Sequence, residues 1–283
     1  MALKDILVSI DASDAGGARV ALAMRLAKRH RARLLGYYVS PTVGSYDLPP
    51  AAPLGPMTGL APLPTPSPDN EHAGDIAEIM EQRFSDDLKQ NHLEGSWILS
   101  GEHVVRELAG QLRVCDLAIL GQIDPDRPLR DQGGFQPEDV LLESGRPGLV
   151  VPYIGAAETL GTSVLVGWDG SRPASRALHD ALPLIDKAAA VTVLSVGSGD
   201  AGGVASADMV VAHLRRHGIE ARAEHTPSVD LPVADIILSR AADLAADLIV
   251  AGAYGHSRLR EALLGGTSRG LFERMTAPVL MSH

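Results

Sequence analysis

Short apolar runs recur along this sequence. Each stops abruptly at a polar residue or glycine, and each is followed by a segment whose apolar positions return at helical spacing. Asp5 to Ile10 reads as a strand that ends at Asp11. Ser13 or Asp14 then caps a helix whose Val20, Ala23, Met24 and Ala27 share one face up to about His30. Leu34 to Val39 is the next strand. Further helices are expected at Glu71 to Asn91, Glu102 to Leu112 and Glu138 to Ser144, with strands at Ser96 to Leu99, Leu117 to Leu120 and Gly148 to Tyr153. One stretch breaks the rhythm. From Pro41 to Asn70 prolines are too dense for a helix or central strand, so an excursion over the surface is expected, a lid or a partner-binding arm.

The pattern then restarts. KDILVSIDASD at Lys4 to Asp14 matches TSVLVGWDGSR at Thr162 to Arg172, DLAILG at Asp116 matches DLIVAG at Asp247, and LLESGRPGLVV at Leu141 matches LFERMTAPVLM at Leu271. A tandem repeat of one α/β unit follows: a first domain at 1–153 carrying the insertion at 41–70, a linker at 154–162 and a second domain at 163–283. In the second copy, strands are expected at Ser163 to Trp168, Val191 to Val196, Glu220 to His225, Leu248 to Ala251 and Val279 to Met281. Its helices fall at Pro173 to Lys187, Val204 to His217, Pro232 to Leu244 and Thr267 to Met275. Strands alternating with helices predict an α/β fold of two tandem open parallel five-stranded sheets covered by helices.

Composition narrows the partners. The 283 residues suit about two domains, and 45% hydrophobic content suits packed cores. No apolar run reaches the roughly 18 residues of a membrane span, and MALKDILVSIDASD has no secretory cleavage pattern. The single cysteine, Cys115, suits a reducing cytoplasm and reads as a buried small residue. With 25 Lys and Arg among 35 Asp and Glu, for a net charge of −10, nucleic acid is not the expected partner. The basic run Lys28 to Arg33 reads as a solvated helix end.

The densest candidate chemistry lies between Asp247 and Ser268. An apolar strand stops at Gly252, Gly255 follows, Gly265 and Gly266 stand ten further on, and Thr267 or Ser268 caps a helix. Glycines at a strand's carboxyl end let the backbone approach a ligand, and the free amides of the next helix face the same crevice. Phosphate fits both. The hydroxyls of Thr267 and Ser268 can donate to phosphate or ligate Mg, and His256, Arg258 and Arg260 are cations of the intervening loop. Outside this stretch no Walker loop, GxSxG elbow, HExxH or CxxC is present. His213 and His217 stand at metal-ligand spacing, but Arg215 and Arg216 between them favour a solvated basic face. His225 and His283 are expected to be inert.

GAYG, nine residues and then GG resembles the nucleotide loop GxxGx9G(S/T) of the ATP-binding branch of the universal stress protein family, and the strand–helix order resembles that family's adenine nucleotide alpha hydrolase-like fold over nearly the whole chain. The departure is Gly266 where the family has Ser or Thr, with Thr267 and Ser268 directly behind. The resemblance implies an adenine nucleotide, ATP, ADP or AMP, with or without Mg, bound in the second domain of a stress-response regulator. It implies that Asp169 binds the adenine or ribose end, that Gly167 and Val196 line the base and sugar pocket, and that the backbone of Gly252, Ala253, Gly255, Gly266 and Thr267 holds phosphates, with Ala251, Gly265 and Ser268 completing the nucleotide-binding set. The first domain has GxxD at Gly121 to Asp124 in place of GxxG. A carboxylate facing phosphate opposes binding, so this copy is read as degenerate. No residue other than His256 is a candidate base for activating water, so slow or absent ATP hydrolysis is expected; a slow ATP-hydrolysing or nucleotidyl-transferring enzyme of the same fold is the alternative, and a nucleotide-free scaffold a third. Family subunits often pair through their last strands. Here Leu149 to Val151 and Val279 to Met281 can pair within one chain, with a homodimer as the other arrangement.

Overall fold

The computed structural model describes residues 2–40, 68–101, 103–155, 158–197, 206–227, 230–253 and 266–283. In the first half the strands are β1 (Asp5–Ile10), β2 (Arg33–Tyr38), β3 (Gly95–Leu99), β4 (Leu117–Gly121) and β5 (Gly148–Val151). In the second they are β6 (Ser163–Gly167), β7 (Ala190–Val196), β8 (Ala221–Thr226), β9 (Leu248–Gly252) and β10 (Val279–Ser282). The helices are α1 (Asp14–His30), α2 (Pro68–Asn91), α3 (Val104–Leu112), α4 (Pro137–Ser144), α5 (Arg172–Ile185), α6 (Ala207–Arg216), α7 (Val233–Asp243) and α8 (Gly266–Arg274). The α/β alternation read from the sequence is present, and the differences sit at element ends. Strand β5 stops at Val151, before Pro152 and well short of Tyr153. Helix α2 takes in Pro68 to Asn70, which the sequence assigned to the excursion; proline is at home in a first helical turn, where its missing N–H is not needed. The excursion at 41–67 lies outside the described residues.

All ten strands form one sheet in the order β3-β2-β1-β4-β5-β10-β9-β6-β7-β8. Pairing is parallel within each half and antiparallel where the halves meet, with Val279 opposite Val150, Leu280 opposite Leu149 and Met281 opposite Gly148. The two expected five-stranded sheets are therefore continuous, joined by the strands that the sequence offered for pairing within the chain. The strand order reverses between β1 and β4 and again between β6 and β9, the places where open α/β sheets carry their crevices.

A repeated device sets these two pairs in register. Asp116, just before β4, accepts hydrogen bonds from the N–H groups of Lys4 and Asp5 at 2.6 and 3.0 Å. Asp247, just before β9, accepts from Thr162 at 2.9 Å and Ser163 at 3.1 Å. The sequence match between DLAILG and DLIVAG thus includes a carboxylate that fastens each half's first strand to its fourth.

Alternation along the strands sends Ile6, Val8 and Ile10 to one face of the sheet and Leu7 to the other. The first face is covered by α1, α2, α5 and α6, the second by α3, α4, α7 and α8, and each apolar layer runs through both halves. Polar joints add to the seam. The buried Gln122 side chain donates to the Phe272 carbonyl at 2.8 Å. Arg29 donates to the Leu184 carbonyl at 3.1 Å and pairs with Asp186 at 2.6 Å. The run Lys28 to Arg33 is consequently not a purely solvated helix end: Arg29 spans the seam and His30 is buried. Burial, then the charge of Arg29, holds the His30 imidazole below its ordinary pKa.

Candidate functional site

Strands β6, β7 and β9 are neighbours, so their carboxyl ends bring the sequence-predicted residues to one edge of the sheet. Gly167 ends β6 opposite Leu194 of β7, and Val196 ends β7, half-buried. Asp169 follows two residues beyond Gly167, exposed, and its Oδ1 accepts from the Ser171 N–H at 2.9 Å. Ser171 in turn caps α5 by accepting from Ala174 N–H at 3.2 Å. One carboxylate therefore shapes the loop and still faces solvent at the crevice.

Gly252, at the end of β9, lies against the first turn of α5. A Cβ at this position would collide with the Pro173 and Ala174 backbone, so only glycine lets the strand end come this close to the helix N-terminus. Ala251 is buried. Ala253 is fully buried and its N–H already donates to the Ser282 carbonyl at 2.9 Å, so it offers no free amide to a phosphate, contrary to the sequence expectation. Helix α8 begins by Gly266, which places Thr267 and Ser268 inside its first turn instead of at the cap. Thr267 is half-buried; Ser268 is 3% exposed and faces the interior. Of the two hydroxyls Thr267 is the accessible one. Gly266 has open space where a side chain would be. Gly255 and Gly265, with Tyr254, His256, Arg258 and Arg260, lie outside the described residues. The residues that are described fit an anionic ligand with a hydroxyl-bearing or amine-bearing end: an exposed carboxylate, a glycine-permitted approach of strand to helix N-terminus, and a second helix start bearing Thr267.

In the first half the same crevice is closed. Arg19 is 4% exposed and Asp11 7%, and they pair at 2.6 Å. Arg19 Nε also donates to the Ser9 carbonyl at 2.7 Å, and Asp11 Oδ1 accepts from the Ser13 N–H at 2.9 Å and from the Ser13 hydroxyl. The guanidinium fills the space over Gly121, the counterpart of Gly252. Burial opposes ionisation of Asp11, but Arg19 and Ser13 overcome it and hold the carboxyl below its ordinary range. The loop beyond β4 is also satisfied by itself. Gln132 accepts from Asp124 N–H at 2.6 Å and donates to the Asp124 and Arg127 carbonyls, each at 2.9 Å. The cavity left among Asp11, Arg19, Gly121, Asp124 and Gln132 is about 20 Å³, room for about one water molecule. A groove of about 600 Å³ between α1 and α2, floored by Val20, Met24 and Phe84, does not reach Gly121.

Among the described residues of the second half no side chain plays this part, and the space over Gly252 is met by the Pro173–Ala174 backbone instead. Arg19 is the sixth residue of α1, and the sixth residue of α5 is Ala177. Sequence reasoning located the difference between the halves at Asp124 and Gly255 and missed this one. The signal was present, since an arginine interrupts an apolar helix face at a position where the repeat has alanine. A second omission is His213. Arg215, Arg216 and His217 are exposed, as a solvated basic face requires, but the half-buried His213 also stacks between His179 of α5 and His217 at ring-centroid distances of 5.1 and 4.7 Å. Among the described residues no group of three or more His, Cys, Asp or Glu side chains is arranged to hold a metal ion, and no helix is long and apolar enough to cross a membrane.

Comparison with known proteins adds three findings. The sequence model described as the universal stress protein family matches residues 162–283. Curated proteins give no match. Solved structures share the fold over essentially the whole chain. A universal stress protein from Archaeoglobus fulgidus DSM 4304 superposes with a TM-score of 0.71 at 17% identity, covering 98% of this chain and 94% of that one. A protein of unknown function from Pseudomonas aeruginosa PAO1 gives 0.63 at 16%, covering 99% and 92%. A putative universal stress protein from Pseudomonas aeruginosa UCBPP-PA14 gives 0.56 at 18%, again covering 99% and 92%.

Proposed function

From the membership of this chain in the universal stress protein family, which residues 162–283 carry, we propose that the second half binds one adenine nucleotide and that the protein acts as a stress-response regulator through that occupancy. The base and ribose lie toward Asp169, Gly167 and Val196, and the phosphates toward Gly252, Gly255, Gly265, Gly266 and Thr267. The observation that carries this reading is the contrast between the halves: one crevice is filled by Arg19 and the other has Ala177 at the matching place. A carboxylate such as Asp169 can accept from the exocyclic amine or from ribose hydroxyls. Amides at a helix start, with a hydroxyl beside them, suit phosphate and a bound Mg. Within this reading the β5–β10 pairing supplies inside one chain the contact that separate subunits make elsewhere in the family.

Two measurements test it. Calorimetry with ATP is expected to give one site per chain, and two equivalent sites would overturn the reading of the first half as closed. Mass spectrometry of ligand released from purified protein tells binding from turnover: retained ATP supports a binding regulator, while ADP or AMP from supplied ATP supports the hydrolytic alternative. Gly255→Asp, which copies Asp124 of the first half, puts a charge beside phosphate and should cost on the order of a hundredfold in affinity. Unchanged affinity in a folded Gly255→Asp protein would place the nucleotide elsewhere.

A further inference from the structure

Helices α5 and α6 meet through His179 and His213, and His217, at the C-cap of α6, stacks on His213. His213 of α6 lies between His179 of α5 and His217 one turn along its own helix, with ring planes inclined at 49° and 65°. His179 Nδ1 stands 2.7 Å from the Ser175 carbonyl, which makes that nitrogen the donor and leaves Nε2 as the basic atom. His213 Nε2 is buried and has no hydrogen-bond partner. A neutral imidazole tolerates this place; an imidazolium there would carry a buried N–H with no acceptor.

Among the described residues the surroundings supply no counter-charge. The charges acting on His213 come from His217 and Arg216 on α6 and from His179 on α5, all of one sign once protonated. Of the acids on α5 and its C-cap, Asp180 accepts from the Ser282 hydroxyl at 2.8 Å and Asp186 pairs with Arg29 at 2.6 Å. The remaining charges on α5 are Arg172, at its first position, and Arg176, which donates to the Gly145 carbonyl at 3.2 Å. Strand β7 has no charged residue, and on β8 Arg222 and Glu224 are engaged with each other and with Arg240, leaving His225 as that strand's other titratable group. Asp208 stands in the first turn of α6, away from the stack in its last. The helix dipole favours cations at the C-terminal turn of α6, but it does so equally whether α6 is packed on α5 or freed from it.

We propose that the His179–His213–His217 stack is an acid-operated clasp, holding α6 against α5 while its rings are neutral and releasing α6 when a second ring takes a proton. Burial, then the proximity of His217, His179 and Arg216, lowers the affinity of His213 for a proton below the ordinary histidine value. The direction follows. The packed form prefers His213 neutral, so the contribution to stability is present above about pH 6.5 and is lost as pH falls through the lower value that His213 has in the packed form. Two imidazolium rings about 5 Å apart in a half-buried setting repel by roughly tenfold or more in the opening equilibrium. Helix α6 connects β7, which ends at Val196, to β8, so a pH effect on the nucleotide pocket rests on the proposed function; the clasp does not.

Amide hydrogen exchange without added nucleotide therefore tests the clasp alone. After correction for intrinsic rates, protection of residues 207–216 should fall at least about tenfold relative to α7 between pH 7.5 and pH 5.5. His179→Gln with His217→Gln, two exposed sites that leave the core untouched, should reduce the fall to about twofold. The proposal is overturned if α6 tracks α7 within twofold across this range, or if the double variant keeps the full response.

Discussion

The buried pair between Arg19 and Asp11 allows a quantitative test of why the two crevices differ. Arg19→Ala removes the partner of a carboxylate that is 7% exposed, strips the Ser9 carbonyl of its 2.7 Å donor and leaves Asp11 with Ser13 alone. Breaking a buried pair from one side typically costs about 3–5 kcal/mol, because the remaining charge is desolvated without compensation. At about 2–4 °C per kcal/mol for a chain of this class, the melting temperature should drop by roughly 6–20 °C. The pH dependence supplies an independent check. With Arg19 present the Asp11 carboxyl is held low, so its contribution is present above about pH 3.8 and is lost as pH falls through its lower folded value. Without Arg19 the burial of Asp11 dominates and raises that pKa, so the penalty is relieved as pH falls toward 4. The gap between parent and variant in urea unfolding should therefore be widest at pH 7 and narrow steadily through pH 5 and pH 4. A loss below about 1 kcal/mol at pH 7, or a gap that does not narrow, would refute the ion pair as the element that closes the first crevice. Asp11→Ala combined with Arg19→Ala should recover part of the loss, since no charge is then stranded.

Gly252→Ala should destabilise by about 1–3 kcal/mol or more by forcing a Cβ into the Pro173–Ala174 backbone, and should weaken ATP binding in calorimetry beyond what its lowered melting temperature explains. Gln122→Ala leaves the buried Phe272 carbonyl without its 2.8 Å donor and should cost about 1–3 kcal/mol in urea unfolding. Burial, with Asp5 and Asp116 nearby, pushes the Cys115 thiol up to about 11. On the order of one thiol in a thousand is then ionised at pH 8. A thiol reagent should label the native protein far more slowly than the urea-unfolded one.

Element existence was legible because it is local. A strand such as Asp5–Ile10 is written in its own apolar residues, and the Ser13 cap in its own hydroxyl. The repeat made the β5–β10 seam readable as well, because an apolar last strand in each copy needs a partner. What escaped depends on pairs far apart in the chain. The loss of the Ala253 amide follows from the register of β10 on β9, which no local pattern specifies. The His179–His213 contact joins two helices through their packing angle, so the spacing of His213 and His217 alone suggested a basic face. Arg29 was read as a cation at a helix end, and only the position of the second half turns it into a seam contact.

The tandem arrangement explains how one crevice can be closed without cost to the other. In a symmetric pair of identical subunits, an arginine at the sixth position of the helix after the first strand would fill both crevices at once. A single chain carrying two copies escapes that constraint, and position 19 and position 177 can take opposite residues. The first copy also supports the second. Strand β5 covers the edge of β10, the two apolar layers run through both halves, and Gln122 holds the C-terminal end of α8 through Phe272. Helix α8 begins at Gly266 and Thr267; in the proposed site that start lies on the phosphate side, and the first half would act on the second by fixing it. Loosening that contact by Gln122→Ala should therefore raise the ATP dissociation constant, while Gln82→Ala, an exposed change on α2 outside the seam, should leave it alone. Equal effects from the two, or none from Gln122→Ala, would mean that the halves share a sheet but not a function.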